Sequence, residues 1–306
     1  MIMTQQELEI LFTDEVEAKK FWMAKRIEAG ICCSNCNSKE LRWDSSHNSW
    51  VCRDCNKSFT IRSGTVMQDS NLPIRVWLKA MHLMTLTKKG ISALEMQRQL
   101  GLKRYEPVLY MVQKLRVAMG ERDNKYELRG DVELDDAFIT VVTPGRKKKV
   151  KGVRGRGSEA KQSILVMVSR NNAVSKKGKK HSNPGYIKLL VMEDMSEPEV
   201  VTGFFESVKP ADTTIISDGY SSFSKLKQVV KKHKPKVTPP KQAHIHLPWV
   251  HCAIGNLKRI LNGIHHHVNK ENLQLYLNEF AYKFIRRRVP FIFGNLVKAS
   301  VNMAWR

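Results

Sequence analysis

Two Cys-x-x-Cys motifs near the amino end are the feature that most restricts how this 306-residue chain can fold. Cys33 and Cys36 form the first motif, and Cys52 and Cys55 form the second, after fifteen intervening residues. Each motif brings two thiolates to one side of a tight turn, and two such turns complete a tetrahedral shell of four sulfurs. The spacing therefore predicts a structural zinc site with these four cysteines as ligands.

Two disulfides are the alternative to zinc. The chain has only two further cysteines, Cys32 and Cys252, and it starts with an acidic, polar segment unlike a signal peptide. We therefore expect a protein of a reducing compartment, in which disulfides are rare. We expect the localisation to be cytoplasmic.

The charge of the chain points to a polyanionic partner. Lys and Arg number 52 against 29 Asp and Glu, a formal net charge of +23. Binding phosphates with cationic side chains releases counterions, so such an excess favours DNA or RNA. A ribosomal or membrane-surface protein is the alternative, although no apolar run is long enough to predict a spanning helix.

The composition changes along the chain and predicts four regions. Residues 1–28 read as an N-terminal helical segment and residues 29–69 as the zinc ribbon. Residues 70–122 read as three helices, of which the last two outline a helix-turn-helix with Ser92 as an N-cap. A plain three-helix bundle with a solvated basic face is the alternative. The predicted DNA contacts of this region are Lys103, Arg104, Gln113, Lys114 and Arg116.

Residues 130–306 have the texture of an α/β domain. Strands are predicted at 131–142, 163–169, 186–192 and 213–217, and helices at 198–208, 249–262 and 271–288. Residues 227–241, cationic and containing three prolines, read as a loop. A second basic loop, 143–161, is expected to follow the phosphate backbone without reading sequence. The DNA contacts predicted in it are Arg146, Lys147, Lys148, Lys149, Arg154 and Arg156.

Two aspartates of this region are candidate metal ligands. Asp135 lies inside an apolar strand, where an unpaired carboxylate costs several kcal/mol. Asp218 directly follows the apolar strand 213–217, a position at the mouth of an α/β sheet. Each alone fits a turn or a cap equally well, but together they predict a site for a hard cation. Asp136 is expected to point to the opposite face of the strand.

The third candidate group comes from the helices. His251, Gly255 and Lys258 fall on one helical stripe, with the glycine leaving a gap in which a nucleic-acid backbone could come close. Glu279 is the best remaining acid, but Lys283 four residues later makes an intrahelical salt bridge the favoured interpretation.

The ordered motifs resemble one family, the zinc-ribbon branch of bacterial insertion-sequence transposases. The segments that carry the resemblance, in chain order, are CSNC, CRDC, FTIRSGTVM, ISALEMQRQLGLKRYEP, VELDDAFI, IISDGYSSF, LPWVHCAIGNLKR and YLNEFAYKFIRR. Together they span nearly the whole chain. The resemblance implies a ribonuclease-H-like mixed sheet with flanking helices, preceded by a zinc ribbon and a helix-turn-helix.

The resemblance also implies an activity of the DDE type, namely metal-dependent cleavage and strand transfer at the ends of a mobile element. Asp135 and Asp218 match the first two acidic positions, and counting back seven residues from Lys258 places His251 at the third. Many family members have Glu or Asn there. Because imidazole carries no negative charge and is a softer ligand, we expect weaker Mg²⁺ binding and a preference for Mn²⁺.

The mechanism that follows is a hypothesis. Two Mg²⁺ or Mn²⁺ ions bridge Asp135 and Asp218, and His251 and water complete their shells. Lys258 contacts DNA near the scissile phosphate, and Arg259 beside it is a further predicted DNA contact. Glu279 and Arg286 support the site from behind, as the resemblance suggests.

The expected partner is double-stranded DNA, with the zinc ribbon and the helix-turn-helix recognising terminal inverted repeats. Because such enzymes work in synaptic complexes, the resemblance implies a homo-oligomer. It also implies a bacterial protein that is cytoplasmic and associated with the nucleoid. Two alternatives are open. One is a DNA-binding regulator with a degenerate catalytic domain, which His251 favours; the other is an RNA-processing nuclease, because ribonuclease-H-like folds also act on RNA.

Overall fold

The structure, a computed structural model, describes residues 3–142, 161–174, 180–237, 239, 242–301 and 303. The chain divides into two compact units, one of Met1–Arg122 with Arg288–Arg306 and one of Asp123–Arg287. Nearly all of the predicted basic loop 143–161 lies outside the described residues. The same is true of its six predicted DNA contacts, Arg146, Lys147, Lys148, Lys149, Arg154 and Arg156.

The first unit begins with two helices where the sequence predicted one continuous helical segment. Helix α1 (Gln5–Thr13) and helix α2 (Glu15–Glu28) are separated by Asp14, whose backbone is extended (φ −98°, ψ 116°). The Asp14 carboxylate accepts hydrogen bonds from the N–H groups of Val16 and Glu17, so it caps α2.

The cysteine motifs border a small antiparallel sheet. Its strands are β1 (Leu41–Asp44), β2 (Ser49–Cys52) and β3 (Ser58–Thr60), in the order β1-β2-β3. Trp50 of β2 is buried, lies 4.9 Å from the ring of Trp43 on β1 and packs beside Phe59 on β3. These few aromatic side chains are the apolar core of the ribbon, which is small for a unit of this length.

Three helices follow in the same unit: α3 (Ile74–Leu86), α4 (Ala93–Leu100) and α5 (Glu106–Asp123). Ser92 caps α4 through the N–H of Glu95, and Gly101 ends it with a left-handed conformation (φ 65°). The carboxy-terminal helix, Ile292–Val301, belongs to this unit and packs against α3 through contacts such as that of Phe293 with His82. The sheet unit therefore ends at Arg287, whereas the sequence predicted an α/β domain that extends to residue 306.

The second unit is built on a five-stranded mixed sheet. Its strands are β4 (Leu128–Thr140), β5 (Lys161–Val174), β6 (Lys180–Met192), β7 (Val208–Ser217) and β8 (Lys232–Pro235). Their order is β6-β5-β4-β7-β8; β4 pairs antiparallel with β5 and parallel with β7, and β8 is parallel to β7. This topology confirms the expected ribonuclease-H-like α/β fold. The prediction that 227–241 is only a loop is wrong, because β8 completes the sheet there.

Helices cover both faces of this sheet. They are α6 (Glu197–Phe205), α7 (Leu226–Val229), α8 (Ala243–His246), α9 (Pro248–Ile260) and α10 (Leu273–Ile285). Helices α9 and α10 pack on the face that carries Ala137 and Ile139, and α6 packs on the face of Val132 and Leu134. Since side chains alternate along a strand, the odd-numbered residues of β4 face α9. Among the described residues, no helix is both long and apolar enough to cross a membrane.

Candidate functional site

The pairing of β4 with β7 brings two aspartates from distant parts of the chain together. Leu134 pairs with Ser217 in parallel register, and an aspartate follows each of them, Asp135 on β4 and Asp218 directly after the end of β7. Carboxylate oxygens of Asp135, Asp136 and Asp218 lie within 4.8 Å of one another. The convergence that the sequence predicted is therefore present, and the role of these residues as ligands stays a prediction.

Asp136 corrects the sequence interpretation. Strand alternation predicted that its side chain would point away, yet its carboxylate belongs to the same cluster. The last paired residues of β4 and β7 are Leu134 and Ser217, and Asp136 lies two positions beyond them on β4. A side chain past the end of the neighbouring strand can turn around the edge of the sheet, which strict alternation does not anticipate.

The carboxyl group of Asp135 is electrostatically perturbed by its surroundings. Asp135 as a whole residue is 8% exposed, and its carboxylate accepts a 2.9 Å hydrogen bond from the N–H of Asp136. Burial, followed by the negative charges of Asp218 and Asp136, raises the pKa of Asp135 to about 7. Three carboxylates held this close repel one another unless a proton or a cation neutralises them, so the donor set suits a hard divalent cation.

His251 approaches the cluster from helix α9. Its Nε2 lies 3.6 Å from Oδ2 of Asp135, and the imidazole is half-buried. The helix holds this position because Val250, Ala253, Ile254 and Leu257 pack on the sheet face below it. The structure thus brings the predicted third group next to the first aspartate.

Lys258 and Gly255 continue the stripe along α9 towards solvent. Lys258 is exposed, and its positive charge opposes the rise in the pKa of Asp135. A Cβ added at Gly255 would meet no atom within 4 Å, so the predicted gap in the stripe is open. Arg259 is exposed and donates to the side chain of Asn256 at 3.2 Å.

Among the described residues, the carboxylate cluster consists of Asp135, Asp136 and Asp218, and Glu279 is not part of it. It is buried on α10 and accepts a 2.8 Å hydrogen bond from Lys283, so the salt bridge favoured from sequence is present. Arg286 binds both carboxylate oxygens of Asp123, at 2.6 and 3.0 Å. The supporting role of Glu279 and Arg286 in catalysis stays a prediction.

Sequence reasoning missed Glu133 and Arg170. Glu133 lies two residues before Asp135 and is fully buried, and its Oε1 is 2.6 Å from Nε of Arg170. Its Oε2 accepts hydrogen bonds from the N–H groups of Trp249 and Val250 at 2.8 and 2.9 Å. The sequence did contain a signal for Glu133, because it lies two residues before Asp135 and therefore on the same face of the apolar strand. A carboxylate buried there needs a partner as much as Asp135 does.

The four cysteines of the paired motifs form a second candidate metal site, in the first unit. Their sulfurs lie within 4.8 Å of one another, with 3.6 Å between Cys33 and Cys55 and 3.5 Å between Cys36 and Cys52. A tetrahedral zinc site with Zn–S bonds of about 2.3 Å separates its sulfurs by about 3.8 Å. Hydrogen bonds from the Lys57 backbone and Asn35 lower the pKa of Cys55 to about 6, which favours its thiolate. The pKa of Cys36 is raised, because a lowering hydrogen bond from the Ser38 backbone is outweighed by those with the neighbouring cysteines and by burial.

The DNA contacts predicted for the candidate helix-turn-helix, α4 and α5, differ in exposure. Lys103 and Arg104 are exposed in the turn before α5, and Gln113 is half-buried on α5. Lys114 donates a 2.6 Å hydrogen bond to the backbone carbonyl of Gln68. The prediction for Arg116 is wrong: its side chain is 1% exposed, and a buried guanidinium cannot reach a duplex.

Comparisons with known proteins agree with the geometry of the sheet unit. A family model described as "ISXO2-like transposase domain" matches residues 127–284, slightly more than half of the chain. A relative described as "Uncharacterized protein in transposable element ISH50", from Halobacterium salinarum, is 26% identical over 218 residues. The match covers 66% of this chain and 71% of the relative.

Two solved structures also match. They are described as "Crystal structure of a pre-cleavage Mos1 transpososome" and "Mos1 transposase paired-end complex with left transposon end". The identities are 11% and 10%, and the matches cover 75% and 74% of this chain and 79% of each solved chain. Both TM-scores are 0.29.

Proposed function

The chain belongs to the ISXO2-like transposase domain family, and on this premise we propose that it cleaves DNA at the ends of an insertion sequence and joins them to target DNA. The observation that carries the proposal is the register of β4 and β7, which brings Asp135 and Asp218 close together where β7 ends. Neither residue would need to be acidic for packing alone.

The proposed catalytic site consists of Asp135, Asp218 and His251. The carboxylates fit a divalent cation because they converge, because one of them is buried, and because oxygen ligands suit Mg²⁺ and Mn²⁺. The chemistry that two bound ions supply is activation of a water molecule or a DNA 3′-hydroxyl and stabilisation of the departing oxygen. The aspartates hold these ions, and His251 offers Nε2 beside Asp135.

Other residues are proposed to orient the DNA. Lys258 and Arg259 lie exposed on α9, and the open space at Gly255 lets a sugar-phosphate backbone approach the helix. Lys103 and Arg104 offer phosphate contacts before α5. The four-cysteine cluster is proposed to hold structural Zn²⁺, which supports recognition of terminal inverted repeats by the first unit.

We further propose that the protein works in the cytoplasm, associated with the nucleoid, and as a homo-oligomer in the synaptic complex. The localisation rests on the substrate, chromosomal DNA, and the homo-oligomer on the reaction class, since joining two element ends requires that both be held at once.

A nicking assay on DNA that carries the element ends tests the function. Asp135→Asn and Asp218→Asn should abolish strand cleavage in Mg²⁺ and Mn²⁺ while leaving binding of the same DNA intact. Asp131→Asn, on the same strand but outside the aspartate cluster, is the matched control. Cleavage by either cluster variant at the wild-type rate would refute the proposed site.

One observation favours a different function, a DNA-binding regulator with a degenerate catalytic domain. His251 contributes no negative charge at the third position, which weakens the cation site relative to three carboxylates. The nicking assay separates the two functions, because a regulator would bind the element ends without metal-dependent cleavage. Comparing duplex DNA with an RNA–DNA hybrid in the same assay tests the RNA-processing nuclease.

A further inference from the structure

Helix α9 begins without a cap of its own. Its N-cap position is Leu247, which has no side chain able to accept a hydrogen bond, and Pro248 follows as the first helical residue. The first N–H groups of a helix have no partner within the helix, so those of Trp249 and Val250 need an acceptor from elsewhere. This need is acute at Val250, which is buried.

Glu133 on strand β4 supplies that acceptor. A single oxygen, Oε2, accepts from Trp249 N–H at 2.8 Å and from Val250 N–H at 2.9 Å. A carboxylate at a helix N-terminus is also stabilised by the helix dipole. The sheet therefore caps the helix, through a residue 116 positions earlier in the chain than Trp249.

Arg170 on β5 completes the network. Its Nε donates to Oε1 of Glu133 at 2.6 Å, and its terminal NH2 group donates to the carbonyl of His246 at 2.8 Å. The guanidinium thus bonds both the capping carboxylate and the segment that leads into α9. A fully buried carboxylate would be costly alone, but here both of its oxygens are bonded and its charge is paired.

The network connects the two parts of the proposed catalytic site. Glu133 and Asp135 are two residues apart on the same face of β4, about 7 Å along the strand. His251 follows directly after Val250, whose N–H Glu133 holds. Glu133 therefore links the strand of Asp135 to the helix of His251, whose side chains lie 3.6 Å apart.

We propose that Glu133, held by Arg170, is a positioning residue that fixes the His251 helix against the aspartate strand and so sets the affinity of the cation site. The proposal rests on the proposed function, because it assigns His251 and Asp135 to one site. Groups that orient metal ligands from behind typically change metal affinity or activity by about 10- to 100-fold when they are removed.

The test measures binding of Mn²⁺ alone to the full-length, zinc-loaded chain, by the electron paramagnetic resonance signal of the free ion. Glu133→Ala should weaken binding by at least about tenfold. Glu133→Gln, which keeps an acceptor oxygen but loses the charge, should weaken binding less than Glu133→Ala does. In DNA cleavage, both variants should lower kcat and leave KM for DNA unchanged, since Glu133 is buried.

Glu199→Gln is the matched control, because Glu199 is another carboxylate of the same unit that accepts hydrogen bonds from two backbone N–H groups, those of Asp194 and Met195, but lies on α6, which packs on the other face of the sheet. It should lower the temperature of unfolding but leave Mn²⁺ affinity within about twofold, since it is outside this network. Should Glu133→Ala fail to fold, Glu133→Gln decides. Wild-type Mn²⁺ affinity in the folded Glu133 variant, or equal weakening in Glu199→Gln, would overturn the proposal.

Failure of the proposed function gives a different pattern. In that case the wild-type chain binds Mn²⁺, and Asp135→Asn abolishes binding, but no DNA is cleaved. The effect of Glu133 on affinity can then still be measured and decides the positioning role by itself.

Discussion

Asp135 is expected to destabilise the metal-free sheet unit at neutral and alkaline pH, and replacing it with asparagine should reverse this. In the folded chain the pKa of Asp135 is about 7, compared with an ordinary value of 3.8. The folded state therefore holds a proton that the unfolded state has released. Below about pH 3.8 the carboxyl group is protonated in both states, and it does not lower the free energy of unfolding. As the pH rises from about 3.8 to about 7, the free energy of unfolding falls, and above that it stays lowered.

The size of the effect follows from the two pKa values. Each pKa unit corresponds to about 1.4 kcal/mol, so a difference of about three units costs about 4 kcal/mol at pH 8. That is an upper figure, because the unit can relax around the charge, yet it is a large share of the 5–15 kcal/mol typical of a domain. Asp135→Asn removes the charge and keeps the shape, so it should recover a few kcal/mol.

Urea unfolding of the metal-free sheet unit within the zinc-loaded chain measures this difference. Hydrogen exchange of peptides from β4 and β5 reports on that unit specifically. We expect the variant to be more stable than the wild type at pH 8 and close to it at pH 4. Adding Mn²⁺ at 100 times its dissociation constant should stabilise the wild type by about 2.7 kcal/mol and the variant hardly at all.

Asp131→Asn serves as the control, because Asp131 is on the same strand but outside the carboxylate cluster. It should change neither the pH dependence nor the response to Mn²⁺. If Asp135→Asn were less stable than the wild type at pH 8 without metal, the electrostatic account of the cluster would be wrong.

Three further predictions concern the metal sites. Cys52→Ser should release bound zinc, measured by elemental analysis, and unfold the ribbon, because the metal replaces a missing core; a variant that kept one zinc per chain would contradict the four-cysteine site. His251→Glu should shift the ratio of cleavage rates towards Mg²⁺ over Mn²⁺, because carboxylate is the harder ligand; an unchanged ratio would exclude His251 as a ligand. In the metal-free chain, Asp136→Ala should lower the pKa of Asp135, measured by carboxyl NMR, but less than Asp218→Ala, whose charge contributes more; the opposite order would refute the geometry of the cluster.

The start of a helix could be predicted from the sequence where a single residue type marks it. Ser92, predicted as an N-cap, caps α4. The break at Asp14 was missed because apolar residues continue the helical period on both sides of it. Arg116 was misjudged for a similar reason, since a basic residue on a helix looks exposed until the packing of that helix is known.

The sequence alone determined the cysteine cluster and the identity of the two main aspartates. Cysteine spacing is a local constraint, and an acid within or directly after an apolar strand is visible without a fold. Only the tertiary structure decided that Asp136 joins the cluster and that Glu133 caps the helix of His251. Both depend on which strand ends beside which and on contacts between residues more than 80 positions apart, as with Asp136 and Asp218. Such pairings carry no periodic signal along the chain, so they become visible only when the sheet and its helices are assembled.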